Sequence, residues 1–214
     1  GLAEFPQDIA IYGSGYIALE FAGIFRAFGS KVDLVYRAEL PLRGFDMDVR
    51  QQITEALSER GINLISGRTI AEVKKAAEGH LVTLDDGSVL TPDTVMAATG
   101  RAPNIQGLGL ESAAIETNAR GAIKVDESNQ TSAASVFAVG DVTDRINLTP
   151  VAIAEGHAFA DTIYGDMPRA VGYDAVPSAV FSQPNIASVG LSQEQAEKAY
   201  SQVQIFESRF RAMK

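Results

Sequence analysis

A glycine-rich segment near the start of the sequence has the residue types and spacing of a phosphate-binding turn. It reads Gly13-Ser14-Gly15-Tyr16-Ile17-Ala18, a Gly-x-Gly-x-x-Ala pattern. The first glycine permits the tight bend, the second lets a pyrophosphate approach the backbone, and the small alanine lets the following helix pack closely. The free N–H groups at the start of that helix then face the phosphates. With an apolar run before it and an amphipathic stretch after it, the segment predicts a dinucleotide site.

The end of the next strand indicates which dinucleotide binds. NAD sites place Asp or Glu about 20 residues beyond the turn, where the carboxylate accepts hydrogen bonds from the ribose. Tyr36 holds that position here, Arg37 follows it, and Arg43 lies six residues further on. We interpret Asp33, earlier in the strand, as solvated or bonded to a neighbour. The two planar guanidinium groups suit a 2′-phosphate and predict NADPH, although the alternative is that both are ordinary surface arginines.

These residues are positioned by alternating strands and helices. Apolar runs predict strands at residues 8–12, 31–37 and 62–65. Helical spacing predicts one helix ending at Gly29 and another from the N-cap Asp46 to Gly61. The order predicts a βαβαβ unit with parallel strands and right-handed crossovers.

The pattern changes after this unit. Residues 69–90 alternate in short stretches around Asp86-Gly87, which predicts an antiparallel meander. Strands are expected at 94–98 and 135–139, a helix at 149–163, and a further unit from Tyr173. The predicted fold class is α/β, a Rossmann-type parallel sheet with an antiparallel meander.

Composition excludes several classes of function. The 214 residues carry a net charge of −9, which argues against nucleic acid or an anionic membrane as a partner. No cysteine is present, so a zinc-thiolate site and a cysteine nucleophile are excluded, and no metal site is predicted. No apolar run approaches the ~20 residues of a membrane span and no secretory signal is visible, so we expect a cytoplasmic protein. The first residue is not Met, and we expect a fragment of a longer protein.

Five segments together resemble a known family. They are GSGYIALEFAGIF, VYRAELPLRGFD, ATGRAPN, FAVGDVTDRINLTPVAIAEGHAFAD and VPSAVFSQPNIASVGLS. In this order they resemble the glutathione reductases, members of the pyridine nucleotide-disulfide oxidoreductases. The resemblance runs in register over nearly the whole chain, through VQIFESRFRAMK.

The resemblance implies roles for the residues of the first three segments. It assigns NADPH binding to Gly13, Gly15, Tyr16, Ile17, Glu20, Arg37, Arg43, Gly100 and Arg101. Tyr16 resembles a tyrosine that covers the flavin and moves when nicotinamide enters. Glu20 resembles a glutamate that pairs with a flavin-side lysine and contacts the nicotinamide amide. Taken alone, Tyr16 is an aromatic residue at a helix start and Glu20 a carboxylate favoured by the helix dipole.

The fourth segment implies part of a flavin site. Asp141, after Gly140, resembles the aspartate that binds the FAD ribityl chain. Leu148, Thr149 and Pro150 resemble the loop and helix start beneath the flavin ring, where the helix dipole favours the anionic reduced form. Without the resemblance, Gly140-Asp141 is simply a turn.

The family's disulfide cysteines and its His-Glu proton relay lie in regions outside this sequence. We therefore expect no catalytic residue in the chain and no disulfide reductase activity from it alone, and we interpret His80 and His157 as surface or structural residues. The implied domains are NADPH-binding at 1–115, the closing part of a flavin domain at 116–168 and the start of an α+β dimerisation domain at 169–214. The intact enzyme is expected to be a homodimer that reduces oxidised glutathione.

Several alternatives stay open at this point. Trypanothione reductase, lipoamide dehydrogenase, mercuric reductase and soluble transhydrogenase share the fold, although a lipoamide dehydrogenase would place Glu at Tyr36. A short-chain dehydrogenase needs Tyr-x-x-x-Lys, which the sequence lacks. A non-catalytic NADPH-binding module is the alternative outside catalysis.

Overall fold

The computed structural model describes residues 2, 4–208 and 210. They form two compact units. The first unit runs to Gly100 and resumes at Pro177, and the second comprises Arg101–Val176. The functional division at residues 115 and 168 rests on the family resemblance and stays a prediction.

Helices and strands alternate through the first hundred residues and become sparse afterwards. In chain order they are β1 (Asp8–Tyr12), α1 (Tyr16–Ala27), β2 (Lys31–Tyr36), α2 (Met47–Glu59), β3 (Asn63–Ser66), β4 (Ile70–Lys75), β5 (His80–Leu84), β6 (Val89–Leu90), β7 (Thr94–Ala97), a 3-10 helix (Gly140–Thr143), α3 (Thr149–Tyr164), β8 (Ser178–Val180), β9 (Ile186–Ser188) and α4 (Gln193–Ala199). The βαβαβ order predicted for residues 8–65 is confirmed.

A four-stranded parallel sheet in the order β3-β2-β1-β7 forms the core of the first unit. Leu34 and Tyr36 of β2 pack in the cluster that contains the buried residues of α1 and α2. Val35, pointing the other way, packs with Val82 and Leu84 of β5. Because both faces of the sheet are covered, β2 is apolar along most of its length rather than alternating.

The meander of the first unit is an antiparallel sheet in the order β4-β5-β6. Its turn is the predicted Asp86-Gly87, with Gly87 at a φ of +85° that suits glycine. The Asp86 carboxylate accepts hydrogen bonds from the Ser88 hydroxyl at 2.6 Å and the Ser88 backbone N–H at 3.0 Å. These bonds lower the pKa of Asp86 to about 2.

The segment from Pro177 also belongs to the first unit. β8 and β9 form a two-stranded antiparallel sheet, and Val180 is buried in the same core cluster as α1. Ser192 starts α4 with a capping box, in which its hydroxyl accepts the Gln195 N–H and the Gln195 side chain accepts the Ser192 N–H. Together with the parallel sheet and the meander, this small sheet confirms the mixed α/β fold.

The second unit contains little regular structure besides the 3-10 helix and α3. Pro150 lies in the first turn of α3, where its missing N–H is tolerated. The strand predicted at 135–139 is wrong. Its backbone bonds run to residues 129 and 131 in a tight turn, which leaves one isolated bridge between Gln130 and Phe137. No helix in the described part of the chain is long and apolar enough to cross a membrane.

Candidate functional site

The two glycines of the turn between β1 and α1 differ in their surroundings. Gly13 has a φ of +146°, and a Cβ there would overlap the backbone carbonyl of Ala98 at the end of β7. Its N–H donates to the Val35 carbonyl at 3.0 Å. Gly15 has an ordinary φ of −80°, and no atom lies within 4 Å of the position a Cβ would take. Glycine at 13 therefore serves the fold, whereas glycine at 15 keeps the backbone accessible.

The start of α1 fits a pyrophosphate. Gly15 is the N-cap, and no side chain caps the helix, so its first N–H groups are free donors at the positive end of the dipole. Ala18 is fully buried beneath them, as the close packing of helix on sheet requires. Free donors and an open Gly15 are what a phosphate group needs.

Arg37 and Arg43 lie on the loop between β2 and α2. Both side chains are exposed, and neither makes a hydrogen bond or ion pair within the described residues. Tyr36, at the position of the NAD carboxylate, is 1% exposed, and burial raises the pKa of its hydroxyl. Asp33 is buried and accepts a hydrogen bond from Asn63 Nδ2 at 2.7 Å, so it is bonded to a neighbour.

This loop is tied to the glycine turn. The Leu42 N–H donates to the Ser14 carbonyl at 2.8 Å, and the Leu42 side chain is buried in the core. On the other side, Arg50 of α2 donates from Nε to the Pro41 carbonyl at 2.7 Å and from Nη2 to the Leu40 carbonyl at 2.8 Å. The structure therefore links the loop that carries Arg37 and Arg43 to the glycine turn. The sequence analysis did not identify Arg50. It could have been found as a positively charged residue in the first turn of a predicted helix, where the helix dipole disfavours a cation.

Tyr16, Ile17 and Glu20 occupy the first turns of α1. Tyr16 is 37% exposed and Ile17 is half-buried. Oε1 of Glu20 accepts the Phe181 backbone N–H at 2.9 Å, a contact with the segment after Pro177 that the sequence did not indicate. In the same way, Asp46 is the N-cap residue of α2 but does not cap it, because its carboxylate accepts the Gln193 N–H at 2.6 Å.

Gly100 and Arg101, predicted to pass near the dinucleotide, lie at the boundary of the two units. Gly100 ends the first unit with a φ of +148°, two residues after the Ala98 carbonyl that faces Gly13. Arg101 begins the second unit and is exposed. Their assignment to the cofactor stays a prediction.

The predicted flavin residues all lie in the second unit. Gly140 is buried with a φ of +74°, whereas Asp141 is exposed and its carboxylate has no partner among the described residues. Leu148 is the N-cap of α3, and no side chain caps that helix. Oδ1 of Asn147 is buried without a hydrogen-bond partner in the described chain, although Nδ2 bonds Asp144. An open carboxylate, free helix donors and a buried acceptor fit a polar group such as the flavin.

A buried network supports this part of the second unit. Glu155 of α3 is 1% exposed, and its carboxylate accepts the Gly140 N–H at 2.6 Å and the Tyr173 hydroxyl at 2.6 Å. Arg145 donates to the Tyr173 oxygen at 2.7 Å and to Asn129 Oδ1 at 2.6 Å. Sequence reasoning missed Glu155, although it follows Val151 by four residues on the apolar face of a helix, where a carboxylate is unexpected.

The two histidines make no hydrogen bond or ion pair with the predicted site residues in the described part of the chain. His80 is half-buried and its Nδ1 lies 3.0 Å from the Asp93 carbonyl. His157 is exposed on α3. Among the described residues neither imidazole bonds to a carboxylate, and the interpretation of both histidines as surface or structural residues stays a prediction.

Comparison with known proteins establishes the family. Residues 2–156 match the pyridine nucleotide-disulphide oxidoreductase family, and residues 176–214 match its dimerisation domain. The chain belongs to the pyridine nucleotide-disulphide oxidoreductases. The resemblance stated from the five segments is thereby confirmed.

The relatives that match the chain include reductases of two different disulfides. The chain is 50% identical over 209 residues to a glutathione reductase from Burkholderia cepacia, covering 98% of this chain and 46% of the relative. It is 41% identical over 213 residues to a trypanothione reductase from Trypanosoma congolense, covering 98% of this chain and 43% of the relative. The fold resembles the HOCl-induced flavoprotein disulfide reductase RclA from Escherichia coli, with a TM-score of 0.87 and 32% identity over 92% of this chain and 46% of that one. The chain therefore spans about half the length of the relatives it matches.

Proposed function

We propose that this chain is the NADPH-binding portion of a glutathione-disulfide reductase. The observation that carries the proposal is the pair Arg37 and Arg43, two exposed and unpaired guanidinium groups on a loop bonded to the glycine turn. An acidic chain with a net charge of −9 offers many carboxylates, yet none pairs with either arginine among the described residues. Unpaired guanidinium groups beside a phosphate-binding turn favour a ligand that carries an additional phosphate.

Each part of the site has a separate task in this proposal. The α1 N-terminus and Gly15 hold the pyrophosphate, and Arg37 and Arg43 hold the 2′-phosphate. Tyr16 and Glu20 orient the nicotinamide end, and Gly100 and Arg101 border the dinucleotide. In the second unit Gly140, Asp141, Leu148, Thr149 and Pro150 contribute to an FAD site. When bound, NADPH supplies a hydride and FAD accepts it; the residues of this chain bind and orient both groups.

The intact protein is proposed to reduce oxidised glutathione as a cytoplasmic homodimer. Three glutathione reductases are 41–50% identical to the chain and two trypanothione reductases are 41% identical, and the highest of these values favours glutathione as the disulfide. Trypanothione reductase is the second candidate because its relatives match the chain over 98% of its length. Turnover of the full-length protein with each of the two disulfides distinguishes them.

The cofactor assignment is tested by binding. A hydrogen bond to a charged group contributes roughly 1.5–3 kcal/mol. Two such contacts, discounted for exposure, give about 3 kcal/mol, a preference for NADPH over NADH on the order of 10²-fold. Calorimetric titration of the chain with each cofactor should show this ratio, and added salt should weaken NADPH binding more than NADH binding.

The variant R37Q/R43Q should bind the two cofactors with similar affinity. Tyr36 is left in place because a Glu there would bury a carboxylate. Arg60→Gln is the control for loss of an exposed arginine elsewhere: it removes one positive charge where the double variant removes two, and the Arg60 side chain has no partner among the described residues. Equal affinity for NADPH and NADH in the unmodified chain, or an unchanged preference in the double variant, would contradict the proposal.

A further inference from the structure

Arg50 occupies a position that its own helix does not explain. It is the fourth residue of α2, where the positive end of the helix dipole disfavours a cation. Its guanidinium bonds instead to two carbonyls of the preceding loop, those of Leu40 and Pro41, at 2.8 and 2.7 Å. Two short bonds from one planar group fix both the distance and the orientation of the loop relative to α2.

The loop needs such support because its backbone is strained. Leu42 has a φ of +53°, in the left-handed region that a leucine rarely adopts, and such conformations persist only where neighbouring contacts enforce them. Pro41, just before it, has no N–H with which to hold the loop through a backbone donor. The Leu42 N–H is bonded to Ser14, so Arg50 supplies the restraint immediately preceding Leu42.

Arg43 follows Leu42 directly, and the Phe45 N–H returns to the Leu42 carbonyl at 3.1 Å around Gly44. The direction in which Arg43 leaves the backbone therefore depends on the fixed conformation at residues 40–42. We infer that Arg50 is a positioning residue for cofactor selection, acting through Arg43 to set the preference for NADPH over NADH. This inference rests on the proposed function of Arg37 and Arg43 as the 2′-phosphate site.

The test compares two substitutions of Arg50 with a matched control. R50M keeps the aliphatic stem and removes both hydrogen bonds, and R50K keeps the charge but not the planar pair of donors. The control is R26M. Arg26 donates from Nε to the Arg60 carbonyl at 2.9 Å, so its loss also removes an arginine-to-carbonyl bond. It lies in the last turn of α1, about 15 Å along the helix from the glycine turn.

Each 214-residue protein is titrated with NADPH and with NADH, and its thermal midpoint is recorded. R50M should bind NADPH on the order of tenfold more weakly, as expected for partial loss of one charged contact, with NADH affinity unchanged. R50K should lie between R50M and the unmodified chain, and R26M should keep the original ratio even if its midpoint falls. An unchanged ratio in R50M and R50K, an equal loss for both cofactors, or the same change of ratio in R26M would overturn the inference. If the unmodified chain shows no preference, the proposed function itself fails, and the inference fails with it.

Discussion

At the scale of single residues, the Glu155 carboxylate is buried, and no cation among the described residues bonds to it directly. Its two oxygens accept one backbone N–H, from Gly140, and one hydroxyl, from Tyr173. Arg145 reaches it only through the Tyr173 oxygen. A buried carboxylate requires such donors, so the hydroxyl of Tyr173 is part of what allows Glu155 to hold the Gly140 turn.

Tyr173→Phe should therefore destabilise the chain by about 1–3 kcal/mol, because a buried acceptor and a guanidinium each lose a partner. Urea unfolding near neutral pH measures this difference. Tyr164→Phe is the matched control, since Tyr164 is exposed and its hydroxyl makes no hydrogen bond with the described residues. Equal stability of Y173F and the unmodified chain would show that the network contributes little.

The same tyrosine predicts a pH dependence. Burial and the bond to Glu155 raise the pKa of Tyr173 from 10.0 to about 12. Between these values Tyr173 ionises in the unfolded chain but stays neutral in the folded chain. Its contribution to the free energy of unfolding is therefore complete below about pH 10 and is lost as the pH rises towards 12. The stability difference between the unmodified chain and Y173F should accordingly shrink above pH 10. Unfolding measured at pH 8, 10 and 11 checks this, and a constant difference would contradict the assignment.

At the scale of elements, the two glycines of the turn between β1 and α1 meet different requirements: one lets the backbone fold, and the other leaves the start of α1 accessible. Gly13 has a positive φ and lies against the Ala98 carbonyl, whereas Gly15 has neither constraint. A side chain at residue 13 disturbs the sheet, but a side chain at residue 15 only covers the free end of α1.

Gly13→Ala should lower the free energy of unfolding by roughly 2 kcal/mol or more. Gly15→Ala should leave the thermal midpoint nearly unchanged but weaken NADPH binding by about tenfold or more, because the methyl group lies where the pyrophosphate approaches. Thermal unfolding measures the stability of both variants, and calorimetry measures their affinity for NADPH. A folded, stable G15A that binds NADPH normally would mean that the phosphates lie elsewhere.

The elements that could be predicted from sequence are those fixed by local pattern. Apolar runs, helical spacing and the Asp86-Gly87 turn give the strands and helices of residues 8–97 with boundaries close to those observed. The strand expected at 135–139 fails because a strand also needs a neighbour, and its bonds go to a tight turn instead.

The site was predictable to the same degree. The glycine turn and the two arginines follow from spacing along the chain. The roles of Arg50 and Glu155, and the bonds of Glu20 and Asp46 to the segment after Pro177, depend on contacts between different elements, over separations of 9 to 161 residues. Sequence periodicity shows only that such residues are polar at positions where a helix usually has another residue type, and it does not identify their partners.

At the scale of the whole molecule, the two units contain the predicted residues of two different cofactors and no residue of the disulfide chemistry. The sequence has no cysteine, so this chain has no thiol to receive electrons from a flavin. Its relatives are about twice as long.

The 214-residue chain should therefore show no NADPH oxidation above buffer with oxidised glutathione, even with added FAD. Absorbance of NADPH at saturating disulfide measures this, and a full-length glutathione reductase assayed alongside is the positive control. Sustained turnover by the chain alone would contradict the assignment of the chemistry to regions outside it.

The Ala98 carbonyl beside Gly13 has a consequence for synthesis of the protein on the ribosome. The residues of β1, β2 and β3 have all left the ribosome once residue 66 has emerged. The strand β7 pairs with the other side of β1 and is synthesised later. Next to it, the Asp93 carboxylate accepts a hydrogen bond from the N–H of Gln7, 86 residues earlier in the chain. Closing so long a segment is entropically slower than forming the local βαβ contacts. The Ala98 carbonyl lies against Gly13 only after the end of β7 has paired with β1. A nascent chain thus carries the complete phosphate-binding motif well before it has the finished turn.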